Sequence, residues 1–301
     1  MNQTVKSYIL IHISVFLFGF TGVLGQIISL PAIPLILWRC VLSSFLLYPV
    51  IKISKATIWP DQRKMLKFIG IGLLLGLHWL CFYGSIKLAN ASVAMISLSM
   101  ISVFTVFFEA LFNRARLVIQ DLVTGILVIP GVVLINQSLS TDFKLGFWVG
   151  ILCAALSAMV APLNKKYLKY SDPLTISWIE ITVAAFLFAL LTLILSVSEY
   201  SLFCWPTRQD WIYLVILASF CTVIPLSLAL ASMKSLSSFS TMLVFNLETV
   251  YGILLSIIIL KEHKQLNLQF YLGVILILAS VLAYPLVKTS NFKYLKNSKT
   301  I

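Results

Sequence analysis

Charged side chains are scarce in this chain: Asp, Glu, Lys and Arg together make up 11% of its 301 residues, where an ordinary soluble domain carries about 25%. With 60% of the residues hydrophobic, a water-soluble fold would lack the polar coat to cover them. Histidine is scarcer still, three in all, and the five cysteines (Cys40, Cys81, Cys153, Cys204, Cys221) show no metal-ligand spacing. Neither zinc nor a disulfide framework is therefore expected. Walker, HExxH, GxSxG and CxxC motifs are absent, and no polar stretch is long enough to hold an ATPase domain. This excludes a nucleotide-driven motor within the chain, and no cofactor is expected. The net charge of +12 comes from basic residues standing in ones, twos and threes between apolar blocks. They do not form the contiguous patch that a nucleic-acid partner requires.

What the chain has instead is a succession of apolar blocks about twenty residues long, the length that crosses roughly 30 Å of hydrocarbon at 1.5 Å per residue. The first starts at Tyr8 behind a single lysine, Lys6, and has no small-residue cleavage site, so it reads as a helix and not a signal peptide. Helices are expected over 7–28, 33–51, 66–86, 92–112, 119–136, 145–165, 174–197, 211–231, 238–260 and 268–287. The fold class is an all-α integral membrane protein with ten transmembrane helices.

An even number of spans puts both termini on one side. If that side is the cytoplasm, sixteen basic residues lie inside: Lys6, Lys52, Lys55, Arg63, Lys64, Lys67, Arg114, Arg116, Lys165, Lys166, Lys169, Lys234, Lys288, Lys293, Lys296 and Lys299. Five lie outside: Lys87, Lys144, Arg208, Lys261 and Lys264. That asymmetry fixes the expected orientation. The basic tail from Lys288 to Ile301 has the charge to rest on anionic lipid.

The chain also aligns on itself. Residues 17–37 match 156–176 without gaps, placing Leu17 on Leu156, Leu24 on Leu163 and Pro34 on Pro173, with Trp38 and Trp178 one residue out of step. Leu88–Gly125 matches Leu236–Gly273. Two halves, 1–138 and 139–301, follow; with five helices in each, the second is upside-down relative to the first, and sites in such duplications lie at the repeat interface.

The residues that support a family resemblance are Arg39 in the second helix, the stretch HWLCFYGSIKLANASVAM from His78 to Met95, and NLETVYGILLSIIILKE from Asn246 to Glu262. Together with the ten-helix plan they resemble the EamA-type branch of the drug/metabolite transporter superfamily. The resemblance implies a secondary transporter in a plasma membrane, in a bacterium the inner one, frequently exporting amino acids or related metabolites. It also implies a central cavity lined by helices 1, 3, 4, 6, 8 and 9. Members often carry proline in helices 4 and 9; here Met100 and Ile101 stand near the first position and Thr249 follows Glu248.

Ionisable residues inside spans are costly and ordinarily face the bundle interior or a wet cavity. Glu248 lies near the middle of helix 9, on one face with Thr241, Phe245, Gly252 and Leu255. It reads either as contact for an amine or a proton, or as a carboxylate paired within the bundle. Arg39 and Glu180 occupy nearly equivalent places in helices 2 and 7 and read as structural or coupling charges that pair across the halves. For Arg39, snorkelling to an interface is the alternative. Glu109 is expected to pair with Arg114 or Arg116.

Helix 3 carries an aromatic and polar face, with His78, Phe82 and Ser85 on one stripe and Trp79 and Tyr83 on the next. That surface suits an amphipathic metabolite; the alternatives are an interfacial belt for Tyr83 and a hydrogen-bonded core role for His78. Helices 1 and 6 add Phe18 and Thr21, and Ser157 and Asn164. Pro162 kinks helix 6, and Asn164 is placed to bond a carbonyl so freed.

The expected substrate-binding set is thus Glu248, His78, Trp79, Phe82, Tyr83, Phe18, Thr21, Ser157, Asn164 and Phe245. The partners are a small-molecule substrate, membrane lipid and, as candidates, the proton as coupling ion and a second copy in a homodimer. The chain reads as a transporter by alternating access and not an enzyme. An intramembrane lipid-modifying enzyme and a non-transporting scaffold or sensor stay open as rival readings.

Overall fold

A computed structural model describes residues 2–54, 59–113, 119–197 and 203–280. These residues form helices and connecting turns, with no strand among them. In lipid every backbone polar group must be satisfied within the chain, and helices do this locally. In chain order they are α1 (Gln3–Ile27), α2 (Ala32–Ser54), α3 (Gln62–Leu88), α4 (Ala91–Asn113), α5 (Ile119–Ser138), α6 (Thr141–Tyr167), α7 (Pro173–Val197), α8 (Arg208–Ser232), α9 (Ser238–Leu260) and α10 (Leu268–Ser280). Eight are long and apolar enough to cross a membrane; the apolar segments Ile126–Ser138 and Leu268–Ser280 are shorter within the described residues.

Several helices begin earlier than hydropathy alone suggests. The first turns of α1 and α3 are polar and are held by side-chain caps. Asn2 accepts from the Thr4 amide at 3.1 Å, and Asp61 from the Lys64 amide at 2.7 Å. The basic residues Lys55, Arg114, Arg116, Lys288, Lys293, Lys296 and Lys299 lie outside the described residues, as does the expected partner of Glu109.

Three helices depart from regular α geometry. In α4 a 3₁₀ turn at Leu98–Met100 stands at the position where proline is expected in relatives. Hydroxyls take over proline's effect: Ser97 donates to the Val93 carbonyl at 2.8 Å, Ser99 to that of Ile96 at 2.7 Å and Thr105 to that of Ile101 at 2.7 Å. Such back-bonding competes with the helical ladder and bends it. In α8 a π turn spans Ser219–Val223, just ahead of Pro225, which has no N–H to offer the Cys221 carbonyl. α9 ends in a π turn, Ser256–Leu260, closed by Lys261 in the left-handed conformation at φ 56°.

The helices pack by the rule of an inverted repeat in which α1 exchanges with α6, α2 with α7, α3 with α8 and α4 with α9. α3 packs on α6 as α8 packs on α1; α4 packs on α6 as α9 packs on α1; α2 lies against α7 and α4 against α9. On the pseudo-axis, near-equivalent residues must touch each other, and the hydroxyls of Ser44 and Thr182 lie 2.7 Å apart. α5 and α10 meet at a pair of glycines: a Cβ on Gly131 would lie 2.7 Å from the Gly273 carbonyl oxygen, and one on Gly273 2.8 Å from that of Gly131.

Cross-links at the two ends confirm the alternation of helix direction. On the N-terminal face, Lys166 of α6 donates to the Phe112 carbonyl at 2.7 Å, and Lys165 donates to that of Met233. On the opposite face, Lys87 donates to the Ile28 carbonyl at 2.7 Å, and Asp210 accepts from the Ser29 amide at 2.8 Å and hydroxyl at 2.7 Å.

α4 and α9 cap each other. At one end the Glu262 carboxylate accepts from the amides of Ala91 (3.1 Å) and Ser92 (2.9 Å), the orphan donors that open α4. At the other, Glu109 of α4 accepts from the Phe239 amide at 2.9 Å, in the first turn of α9. Each carboxylate also meets the positive end of a helix dipole. The left-handed turn at Lys261 is what swings Glu262 beneath α4.

Glu262 is buried whereas Glu109 is partly exposed. Glu262→Ala is therefore expected to cost more than Glu109→Ala, about 1–3 kcal/mol for stranding buried amides, and Glu262→Gln less, because one acceptor remains. Thermal unfolding of the three variants in detergent measures the order.

Candidate functional site

A cavity of about 90 Å³ lies where the two halves meet. Its wall is built from α1 (Phe18, Thr21), α3 (His78, Trp79, Phe82), α4 (Leu98, Ile101), α6 (Ser157, Asn164), α8 (Leu230, Met233) and α9 (Phe245, Glu248), with Arg39 of α2. Nine of the ten residues expected at a binding site are thus gathered around one space. Thr241 and Gly252, grouped with Glu248 on one face of α9, do not line it. Thr241 donates to the Ser237 carbonyl, and Gly252 lies against Met95, whose side chain sits between Gly252 and Gly22 of α1.

Tyr83 is the exception. It is fully buried, its ring against Gly25 and its hydroxyl accepting from Arg39 Nη1 at 2.8 Å. It serves neither the cavity nor an interfacial belt. It stands one helical turn beyond Trp79 on α3 and holds Arg39 without lining the cavity.

Arg39 does not snorkel and does not pair with Glu180. It is 0% exposed, and its donors go into the broken part of α8. Nε donates to Thr222 Oγ1 at 2.7 Å, and Nη2 lies 3.5 Å from the Cys221 carbonyl that Pro225 leaves without a helical donor. The guanidinium carbon sits 4.3 Å over the Trp79 ring, a cation–π contact in a dry setting. Arg39 thus ties α2 and α3 of one half to α8 of the other.

Glu180, its expected partner, is buried in α7 against α3, with a Cβ at Gly72 only 3.0 Å from its Cα. The carbonyl that Pro162 frees is that of Ala158, four residues before it, whereas the Pro162 carbonyl itself accepts from Asn113 at 3.3 Å. The Asn164 amide turns toward Glu180.

The polar chemistry of the cavity is concentrated in few groups. Glu248 is 8% exposed and opens onto the cavity; the charge that acts on it is Arg39. His78 Nδ1 lies 3.1 Å from the Cys153 carbonyl, so that nitrogen carries a hydrogen, and the ring lies nearly parallel to that of Phe82. Phe18 and Phe245 touch at 5.6 Å. Asn246 and Thr249 face away from the cavity and bond α4, through Ser102 at 3.2 Å and the Met95 carbonyl at 2.9 Å. No group of three or more His, Cys, Asp or Glu among the described residues is arranged to hold a metal.

The sequence profile of the EamA-like transporter family matches this chain twice, over residues 5–137 and 144–284. The chain belongs to the EamA-like transporter family. The matches begin 139 residues apart (5 and 144) and end 147 apart (137 and 284), close to the spacing at which the chain aligns on itself. The two copies of the EamA unit are therefore the two inverted repeats, and the protein is a multi-pass membrane transporter of the drug/metabolite superfamily. No curated protein sequence matches it. A solved structure described only as the crystal structure of a protein is similar with a TM-score of 0.71 at 14% identity, over 95% of this chain and 98% of its own. That likeness concerns the fold alone. In this EamA-like chain the cavity lies between repeats, as expected where inverted halves enclose a substrate.

Proposed function

We propose that this EamA-like protein is a secondary active transporter that moves a small amphipathic metabolite bearing an amine, such as an amino acid or a relative of one, by alternating access. The halves 1–138 and 139–301, five transmembrane helices each, rock about the cavity, with both termini in the cytoplasm as the sixteen-to-five distribution of basic residues favours.

The observation that carries this reading is the composition of the cavity wall. It has one carboxylate, Glu248, open to the interior, set among the rings of Phe18, Trp79, Phe82 and Phe245. A cationic amine neutralises the carboxylate, and the rings take the apolar part of the same molecule. The balancing cation, Arg39, has its donors bound to Thr222, Tyr83 and Cys221, so it sets the field of the site and holds its shape.

Metabolite profiling of cells and medium, with the protein expressed and absent, tests the proposal. The expected result is that one amine-bearing metabolite changes its distribution between cells and medium only when the protein is present. Identical profiles, or a covalent change in membrane lipids instead, would overturn it.

A further inference from the structure

Glu180 has no part in the transport reading above, yet its burial calls for an explanation. It is 0% exposed, and both carboxyl oxygens are buried without a hydrogen bond. An ionised carboxylate so placed is costly, and an acid hydrogen in the same place also needs an acceptor. Among the described residues the neighbouring helices offer no counter-charge. On α2, Arg39 is bound to Thr222 and Tyr83, and Lys52 lies over the Tyr48 ring. On α3, His78 is held by the Cys153 carbonyl and Lys67 is exposed. On α8, the thiol of Cys221 stands beside Arg39.

What does face Glu180 is the Asn164 amide, whose own Oδ1 is buried and unpartnered. Asparagine is the residue that serves both states of an acid. Its carbonyl accepts from the protonated form, and after the amide turns over, its NH₂ donates to the carboxylate. Asn164 also lines the cavity, so it stands between Glu180 and that internal space.

We propose that Glu180 is a proton-binding site, behind the cavity wall and reached from the cavity through the Asn164 amide. Its role in coupling rests on the transporter reading, but the binding of a proton does not. The two carboxylates stand in series, Glu248 in contact with the cavity and Glu180 one residue behind it.

The test is a pH titration of the full-length protein in lipid vesicles, followed by infrared difference spectroscopy of the carboxylic acid C=O stretch, with no substrate added. The wild type is expected to show an acid band that vanishes reversibly as pH rises. Glu180→Gln lacks this band and Glu248→Gln keeps it. Glu180→Asp, a second variant in case the glutamine form does not fold, moves it in frequency. Asn164→Leu shifts its midpoint by about one pH unit or more, since the partner of both states is lost. A band that ignores bulk pH marks a sealed structural acid and overturns the proposal. So does a titrating band that survives in Glu180→Gln. Because no flux is measured, failure of the transporter reading would appear separately, in the metabolite profiles.

Discussion

Glu248→Gln is expected to cut substrate flux roughly ten- to a hundredfold while leaving the protein folded. The substitution keeps the shape of the side chain and removes its charge. A hydrogen bond to a charged group contributes about 1.5–3 kcal/mol, and each 1.4 kcal/mol is tenfold. The native carboxylate makes no ion pair among the described residues and is nearly buried, so its neutral replacement gives up little stability and relieves a desolvation penalty. The signature is therefore a split result in reconstituted vesicles, with the melting temperature unchanged or raised and transport lost. A parallel fall in both would make Glu248 a structural carboxylate, and wild-type flux would remove it from the mechanism. Glu248→Asp keeps the charge but withdraws it by one methylene, and flux between the two extremes is expected.

The parts of the site that were legible in the sequence are those where a polar or aromatic residue interrupts an apolar helix. Glu248, His78, Phe18, Thr21, Ser157 and Asn164 stand out against Leu and Ile, and the structure gathers them. Leu98, Ile101, Leu230 and Met233 line the same cavity and gave no signal. A membrane helix is apolar toward lipid and toward its neighbours alike, so periodicity does not separate the two faces.

The break in α4 was hidden for a related reason. Proline is a visible breaker, whereas Ser97, Ser99 and Thr105 act through bonds to carbonyls one turn back, and they look unremarkable in a list of residues. The fate of Arg39 was in principle readable. Pro225 leaves the carbonyl four residues before it without a donor, and a buried guanidinium is the group best able to supply one. What the sequence could not supply was the register that brings α2 against α8, which depends on the packing of the two halves. The Arg39–Glu180 pair failed on the same point: pseudo-equivalent positions need not touch unless they lie on the axis, as Ser44 and Thr182 do.

Arg39→Met should produce the largest loss of stability of any single substitution in the bundle. The side chain is fully buried, donates to Thr222 and Tyr83, reaches the Cys221 carbonyl and lies over Trp79. Methionine fills part of the volume but leaves the Cys221 carbonyl with neither a helical nor a side-chain donor, and it leaves Glu248 as the lone charge in the cavity. Removing one member of a buried charge set costs about 3–5 kcal/mol, a large share of the about 5–15 kcal/mol that holds a typical domain. Arg39→Lys keeps the charge but not the planar fork that meets Thr222, Tyr83 and Cys221 at once, so its loss should be intermediate. The decisive comparison is the double variant with Glu248→Gln. If the two charges are balanced across the cavity, neutralising both recovers part of what Arg39→Met loses, with a coupling of about 0.5–3 kcal/mol in a thermal-unfolding cycle in detergent. Strict additivity would mean that Arg39 serves the broken turn of α8 alone. A wild-type melting temperature in Arg39→Met with abolished flux would move Arg39 from the scaffold into the binding site.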